Sequence, residues 1–202
     1  MQYPNIGIVI LAAGASTRMG QPKQLLRYNG QSLVQRICTE ALATQTNGVT
    51  LVLGANAATI LPEVRNLSVQ VAHNEDWEQG MSTSVKKGLT SLLHDCPKVE
   101  AVLFLLVDQP FVDHVIIKQF LNKFQQEKPL LIASDYGRNL GVPALFHQSL
   151  FPKLLQLEGA KGANRLLKQY ADQAIRVPFP SAAIDLDTPE DWAQFQKTIQ
   201  DS

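Results

Sequence analysis

The chain is predicted to be an α/β protein, a three-layer α/β/α sandwich built around a mainly parallel sheet. Three observations predict this. Short apolar runs alternate with helical patterns over most of the 202 residues. Those runs lack in/out alternation, as expected of strands covered on both faces. The hydrophobic content of 45% supports a sizeable core, and no repeat, low-complexity tract or linker divides residues 1–202, which read as one domain.

In chain order, Ile6–Ala12 is the first apolar run and the first predicted strand. Ser32 to Thr44 reads as a helix, with Leu33, Ile37, Ala41 and Leu42 on one face and a capping-box pair, Ser32 and Gln35, at its start. Strands are predicted at Val49–Leu53 and Val69–Ala72, then a helix at Thr83–Leu93. Ala101–Val107 is the most continuous apolar run, followed by a helix at Asp113–Gln126 and a strand at Leu130–Ala133. Weaker strand patterns occupy Pro143–Phe146 and Ala174–Val177, and helices are predicted at Phe151–Leu157, Asn164–Tyr170 and Pro189–Ile199. In such sheets ligands bind at the carboxyl ends of the strands, so chemistry is to be sought there.

Lys+Arg and Asp+Glu balance at 18 each, so no whole-protein field draws the chain to nucleic acid or to an anionic membrane. Any anion site has to be local. The N-terminal "MQYPNIGIVILAAG" has no basic n-region and too short an apolar run for a signal peptide or anchor, so a cytoplasmic location is the expectation. Cys38 and Cys96 lack metal-ligand spacing, and His73, His94, His114 and His147 lack zinc spacing. The pair Lys86 and Lys87 reads as a solvated helix face.

The stretch "LAAGASTRMGQPKQ", Leu11 to Gln24, follows the first strand. Gly14 and Gly20 permit positive φ and close backbone approach, so that successive N–H groups can form an anion-binding nest. Arg18 and Lys23 would add a planar fork and a point charge for phosphate oxygens. The loop contains neither a Walker A pattern nor a dinucleotide fingerprint. On residues alone it is either a phosphate cradle or an ordinary polar strand-to-helix loop. Asp108, at the end of "AVLFLLVD", is either a turn residue before Gln-Pro or a Mg²⁺ ligand. Asp185 and Asp187 share one side of an extended segment, and Thr188, Pro189 and Asp191 make a helix start by themselves. In "NEDWEQGMSTSV", Asn74, Gly80, Ser82 and Ser84 converge on a helix N-terminus, a place for an anion or ribose hydroxyl; Ser82 or Thr83 as a simple cap is the alternative. Trp77 reads as a hydrophobic anchor.

"LAAGASTRMGQPKQLL" closely resembles the signature L-A-A-G-x-S-x-R-M-G-x-P-K-x-L-L of the MobA-like nucleotidyltransferases, in particular the molybdenum cofactor cytidylyltransferase (MocA-type) branch. "HNEDWEQGMSTSVKKGL", "LLVDQPFV", "GVPALF" and "DLDTPEDW" resemble further blocks of that family, so the likeness spans nearly the whole chain. The resemblance implies a Rossmann-like sheet of the nucleotide-diphospho-sugar transferase type. It implies that Leu11, Ala12 and Ala13 lie by the base, and that the loop with Gly14 wraps the triphosphate, which Arg18 and Lys23 neutralise. It also implies nucleotide or acceptor contacts by Asn74, Gly80 and Ser84, and Mg²⁺ held by Asp108 and Asp187, with Asp185 a weaker candidate. Arg18, Lys23 and Asp108 are then the catalytic set.

The implied reaction moves a nucleoside monophosphate from a nucleoside triphosphate, CTP in the branch with Ala-Ala-Gly, to molybdopterin, with release of pyrophosphate. A transient molybdoenzyme or chaperone partner would receive the product. Guanylyl or sugar-phosphate nucleotidyl transfer, and an accessory protein that binds nucleotide without turnover, remain alternatives. Two departures touch the acceptor side: Val142 stands where the family has a polar residue, and "GAKGANR" replaces G-D-x-G-A-R, with Ala160 for the acid and Asn164 for the arginine. Arg165 follows one position later, turned by about 100° on a helix.

Overall fold

The computed structural model describes residues 2–137, 139–179 and 186–200. Strand β1 (Tyr3–Leu11) is followed by a two-residue ribbon, β2 (Arg27–Tyr28) and β3 (Gln31–Ser32), and by helix α1 (Leu33–Leu42). Ser32 caps α1 by accepting from Gln35 N at 3.3 Å, as its sequence pattern predicts. Next come β4 (Thr46–Leu53), α2 (Ala57–Val64), β5 (Gln70–His73) and α3 (Met81–Asp95). β6 (Ala101–Leu106), α4 (His114–Glu127), β7 (Leu131–Asp135) and β8 (Leu140–His147) form the next stretch. The chain then runs through α5 (Phe151–Leu155), α6 (Asn164–Gln169), β9 (Ala174–Pro178) and α7 (Pro189–Gln200).

Seven strands form one sheet in the order β5-β4-β1-β6-β8-β7-β9. Every pairing is parallel except those of β8, which runs antiparallel to β6 and β7. The cause is local: only four residues, 136–139, join β7 to β8, and a connection that short can join only antiparallel neighbours. Each predicted strand and helix is present.

Burial on both faces explains the missing alternation. Ile6, Ile8 and Ile10 of β1 pack with Leu33 and Ile37 of α1 and with Phe120 and Phe124 of α4 on one side. Val9 and Leu11 pack with Val85, Leu89 and Leu92 of α3 on the other. Gly88 permits that contact, because a Cβ there would lie 2.4 Å from Val9 Cγ1. Two elements escape the sequence patterns. Helix α2 carries Pro62 in its interior, tolerated because Leu61 and Pro62 lie on the exposed face while Ile60 and Val64 are buried. The β2–β3 ribbon is too short to have a period. Helix α5 ends at Leu155, two residues before the predicted end.

Candidate active site

The carboxyl ends of β1 and β6 lie side by side, because Leu11 pairs with Leu106. That register brings the loop after β1 next to Asp108. The loop bends through one turn of 3-10 helix at Thr17–Met19, between two left-handed residues, Ser16 at φ 56° and Gly20 at φ 72°. Gly20 thus has the positive φ expected of it, whereas Gly14 does not. What Gly14 contributes is a bare backbone wall: a Cβ there would meet nothing within 4 Å.

Ser16 is an L-residue in a conformation that glycine adopts more easily, and Gln24 helps to hold it there. Ser16 Oγ accepts from Lys23 N at 3.2 Å and donates to Gln24 Oε1 at 3.4 Å. The Gln24 amide is fully buried and donates to the carbonyls of Ala12 and Gly14, each at 2.9 Å. One side chain therefore cross-braces the loop. Sequence reasoning missed it; the available signal was an uncharged polar residue between Lys23 and the apolar pair Leu25–Leu26.

Lys23 turns its ammonium away from water. Nζ donates to Asp108 Oδ2 in a short contact and to Asp187 Oδ1 at 2.9 Å. Arg18, with a side chain 70% exposed, reaches Asp187 Oδ2 at 2.7 Å. Burial pulls the Lys23 pKa down, but the Asp108 charge and the hydrogen bonds to both carboxylates outweigh it, and the net shift is upward. Burial likewise works against the Asp187 carboxylate, yet Lys23 and Arg18 overcome it and hold its pKa below the ordinary value. Lys23 Nζ thus lies between the carboxyl groups of Asp108 and Asp187.

Asp187 reaches this place through two backbone devices. Leu186 N donates to the Asp108 carbonyl at 3.3 Å. A reciprocal cap then starts α7: Asp191 N donates to Thr188 Oγ1 at 3.2 Å, and Asp191 Oδ2 accepts from Thr188 N at 2.8 Å and Asp187 N at 3.2 Å. Asp185 lies outside the described residues.

A cleft of about 150 Å³ opens beside this cluster. Leu11, Ala12, Ala13 and Gly14 form one wall; Lys23 and Asp108 lie at one end; Trp77, Gly80, Met81 and Ser84 face them from the α3 side. Trp77 is therefore part of the cleft wall as well as an anchor, packed where Gly54 leaves room: a Cβ on Gly54 would stand 2.7 Å from Trp77 Cβ and 2.8 Å from Ala13 O. Asn74 is buried and does not line the cleft. Its Nδ2 donates to Thr83 Oγ1 and Ser84 Oγ, both at 2.9 Å, and its Oδ1 accepts from Asp76 N at 3.2 Å. Asn74 thus holds Ser84, a cleft residue, in position. Neither Ser82 nor Thr83 takes the N-cap position of α3; that is Gly80 at φ 107°.

At Val142 the polar contacts run through the backbone. Its carbonyl accepts from Gln109 Nε2 at 2.8 Å and from the Tyr136 hydroxyl in a short contact. Ala160 and Gly159 back onto Gly80, where a Cβ would lie 2.7 Å from Ala160 Cα.

Among the described residues, three or more His, Cys, Asp or Glu nowhere gather as a metal site. Two carboxylates nonetheless suit a hard cation such as Mg²⁺, which commonly takes one or two carboxylates and completes its shell with water and substrate phosphates. One atom is ready for it. Asp108 Oδ1 is buried and, among the described residues, has no hydrogen-bond partner, an arrangement that costs about 1–3 kcal/mol unless something binds there. The residues fit the metal.

A cation-bearing, bare-backbone loop beside Asp108 and Asp187 suits phosphate chemistry, and the fold is that of the α/β nucleotidyltransferases. The chain belongs to the MobA-like NTP transferase family, whose domain matches residues 8–174. It is 30% identical over 200 residues to a protein of Vibrio cholerae named molybdenum cofactor guanylyltransferase, covering 96% of this chain and 93% of that one. It is also 31% identical over 199 residues to nicotine blue oxidoreductase of Paenarthrobacter nicotinovorans, covering 93% and 94%. The crystal structure of Rv0371c from Mycobacterium tuberculosis superposes with a TM-score of 0.80 at 26% identity, over 98% of this chain and all of that one. No helix among the described residues is long and apolar enough to cross a membrane.

Proposed function

We propose that this protein transfers a nucleoside monophosphate from CTP to the phosphate of molybdopterin, with Mg²⁺ as the metal. An acceptor phosphate oxygen bonds to the α-phosphorus; the bond from that phosphorus to the bridging oxygen breaks, and pyrophosphate departs with the electron pair. The acceptor is already an anion, so the reaction needs no strong general base. It needs alignment and charge neutralisation.

The observation that carries this reading is the Lys23–Asp108–Asp187 cluster, in which Asp108 Oδ1 is unpartnered among the described residues. Bound Mg²⁺, held by Asp108 and Asp187, would supply charge neutralisation to the phosphates. Lys23 and Arg18 would then turn from the carboxylates to the triphosphate, stabilising charge that grows toward the leaving pyrophosphate. Leu11 to Gly14 would lie along the base and Ser84, held by Asn74, at the ribose or acceptor; Gly80 would offer free backbone at the helix start. The choice of CTP rests on Ala12-Ala13-Gly14, which resembles the loop of the cytidylyl branch. The cytoplasm, where nucleotides and Mg²⁺ are available, suits this activity, and residues 1–202 would act as one domain.

Guanylyl transfer to the same acceptor is the second reading, favoured by the name of the Vibrio cholerae relative. The metal assignment is tested with Asp108→Ala. Its Mg²⁺-dependent pyrophosphate release should fall by about 10²–10³, the usual loss for one preorganised charge contact. Wild-type turnover by a folded Asp108→Ala protein would overturn it.

A further inference from the structure

A second cavity, of about 740 Å³, lies between α5 and α6, bounded by the loop 156–163. Its charge is unlike that of the whole chain. Lys153, Lys161, Arg165 and Lys168 line it against one acid, Glu158, in a chain whose cations and anions balance at 18 each. Leu157 and Leu166, both buried, give it an apolar floor.

Solvated surface lysines are commonplace; what sets these apart is that they converge on one concavity. Among the described residues, Lys161, Arg165 and Lys168 pair with no carboxylate. Lys153 is held by the Tyr170 ring, with Nζ 4.9 Å from the centroid and bonded to the hydroxyl. Four cations around one concavity repel one another, and among its described lining residues a single acid, Glu158, offsets them. A cavity of several hundred Å³ with an apolar base and a few convergent charges is the usual form of a small-molecule site.

We propose that this cavity binds a small phosphorylated molecule, its phosphate facing Lys161, Arg165 and Lys168 and its less polar part resting on Leu157 and Leu166. The site is separate from the triphosphate cleft but shares a wall with it. Ser82 N donates to Gly159 O at 3.4 Å, and Gly162 packs so tightly on Met81 that a Cβ would lie 2.9 Å from Met81 Cγ. Gly80 and Met81, on the far side of that wall, line the cleft. A ligand in the cavity therefore bears on the same helix start that borders the nucleotide. Its source is either the transfer acceptor, which rests on the function proposed above, or an independent phosphorylated effector.

The test is a titration of the protein with inorganic pyrophosphate, without metal, followed by amide NMR signals. Saturable shifts are expected at residues 159–168, retained in Arg18→Ala and weakened by about tenfold or more in Lys161→Ala/Arg165→Ala. Both substituted cavity side chains are exposed, so that variant should fold. Shifts confined to residues 14–24, or identical in the cavity variant, would overturn the site whatever the fate of the transfer reaction. Steady-state kinetics of the cavity variant then separate the sources. A raised KM for molybdopterin alone assigns the cavity to the acceptor, and unchanged kinetic constants with phosphate binding lost assign it to an effector.

Discussion

Lys23 and Asp108, 85 residues apart in the chain, meet in a short ion pair in the wall of the cleft beside the loop after β1. With side chains only 15% and 12% exposed, the pair is largely shielded from water, and Asp187 completes it on the other flank of the ammonium. Two basic and two acidic side chains thus neutralise one another in this structure. A triphosphate can recruit the cations only if another positive charge takes over the acids. Nucleotide and metal are therefore expected to bind together better than either binds alone.

Lys23→Met tests that exchange. Removing one partner of a shielded pair leaves the Asp108 and Asp187 carboxylates without their ammonium, at a cost on the order of 3 kcal/mol. Thermal unfolding should show the loss, and Mg²⁺ or Mn²⁺ without nucleotide should raise the Tm of Lys23→Met more than that of the wild type. Equal metal-induced shifts in the two proteins would count against the exchange. Turnover should fall by about 10²–10³ in the variant.

Gln24→Leu removes the cross-brace and keeps the volume. The carbonyls of Ala12 and Gly14 then lose a buried donor, with an expected cost of about 1–3 kcal/mol in urea unfolding. Ser16 loses its support at φ 56°, so the KM for nucleotide should rise as well. A stability change within about 0.5 kcal/mol, ordinary for an exposed site, would show that the brace carries no energy.

Cys38 is fully buried, and that burial pushes its thiol up from 9.0 to about 12. The folded state therefore favours the neutral thiol. That preference is complete below pH 9 and disappears as pH rises toward 12, because the unfolded chain ionises first. Native protein treated with iodoacetamide at pH 8 should be alkylated at the partly exposed Cys96, with Cys38 modified only after unfolding. Mass spectrometry of the digested protein reads both sites.

The strands were legible because a sheet covered on both faces writes itself as continuous apolar runs, as at Ile6–Ala12 and Ala101–Val107. Ser32 and Thr188 were legible because a helix cap is a local device. Helix α2 was hidden by Pro62, whose cost is absorbed on an exposed face that no periodicity reveals. The loop motif drew attention to Arg18 and Lys23 as phosphate ligands, but not to their pairing with Asp187, which lies 164 residues beyond Lys23 and depends on the bond from Leu186 to Asp108. Asn74 shows the same limit. Its type and position pointed to ligand contact, while tertiary packing turns its amide inward to Ser84.

The central claim is nucleotidyl transfer at the Arg18–Lys23–Asp108–Asp187 cluster, and pyrophosphate release is its most direct readout. It should be measured with CTP, GTP, ATP and UTP in turn, with Mg²⁺, in the presence and absence of molybdopterin. Release that requires both CTP and molybdopterin, and that is lost in Asp108→Ala, is the predicted result; no acceptor-dependent release with any of the four nucleotides would contradict it.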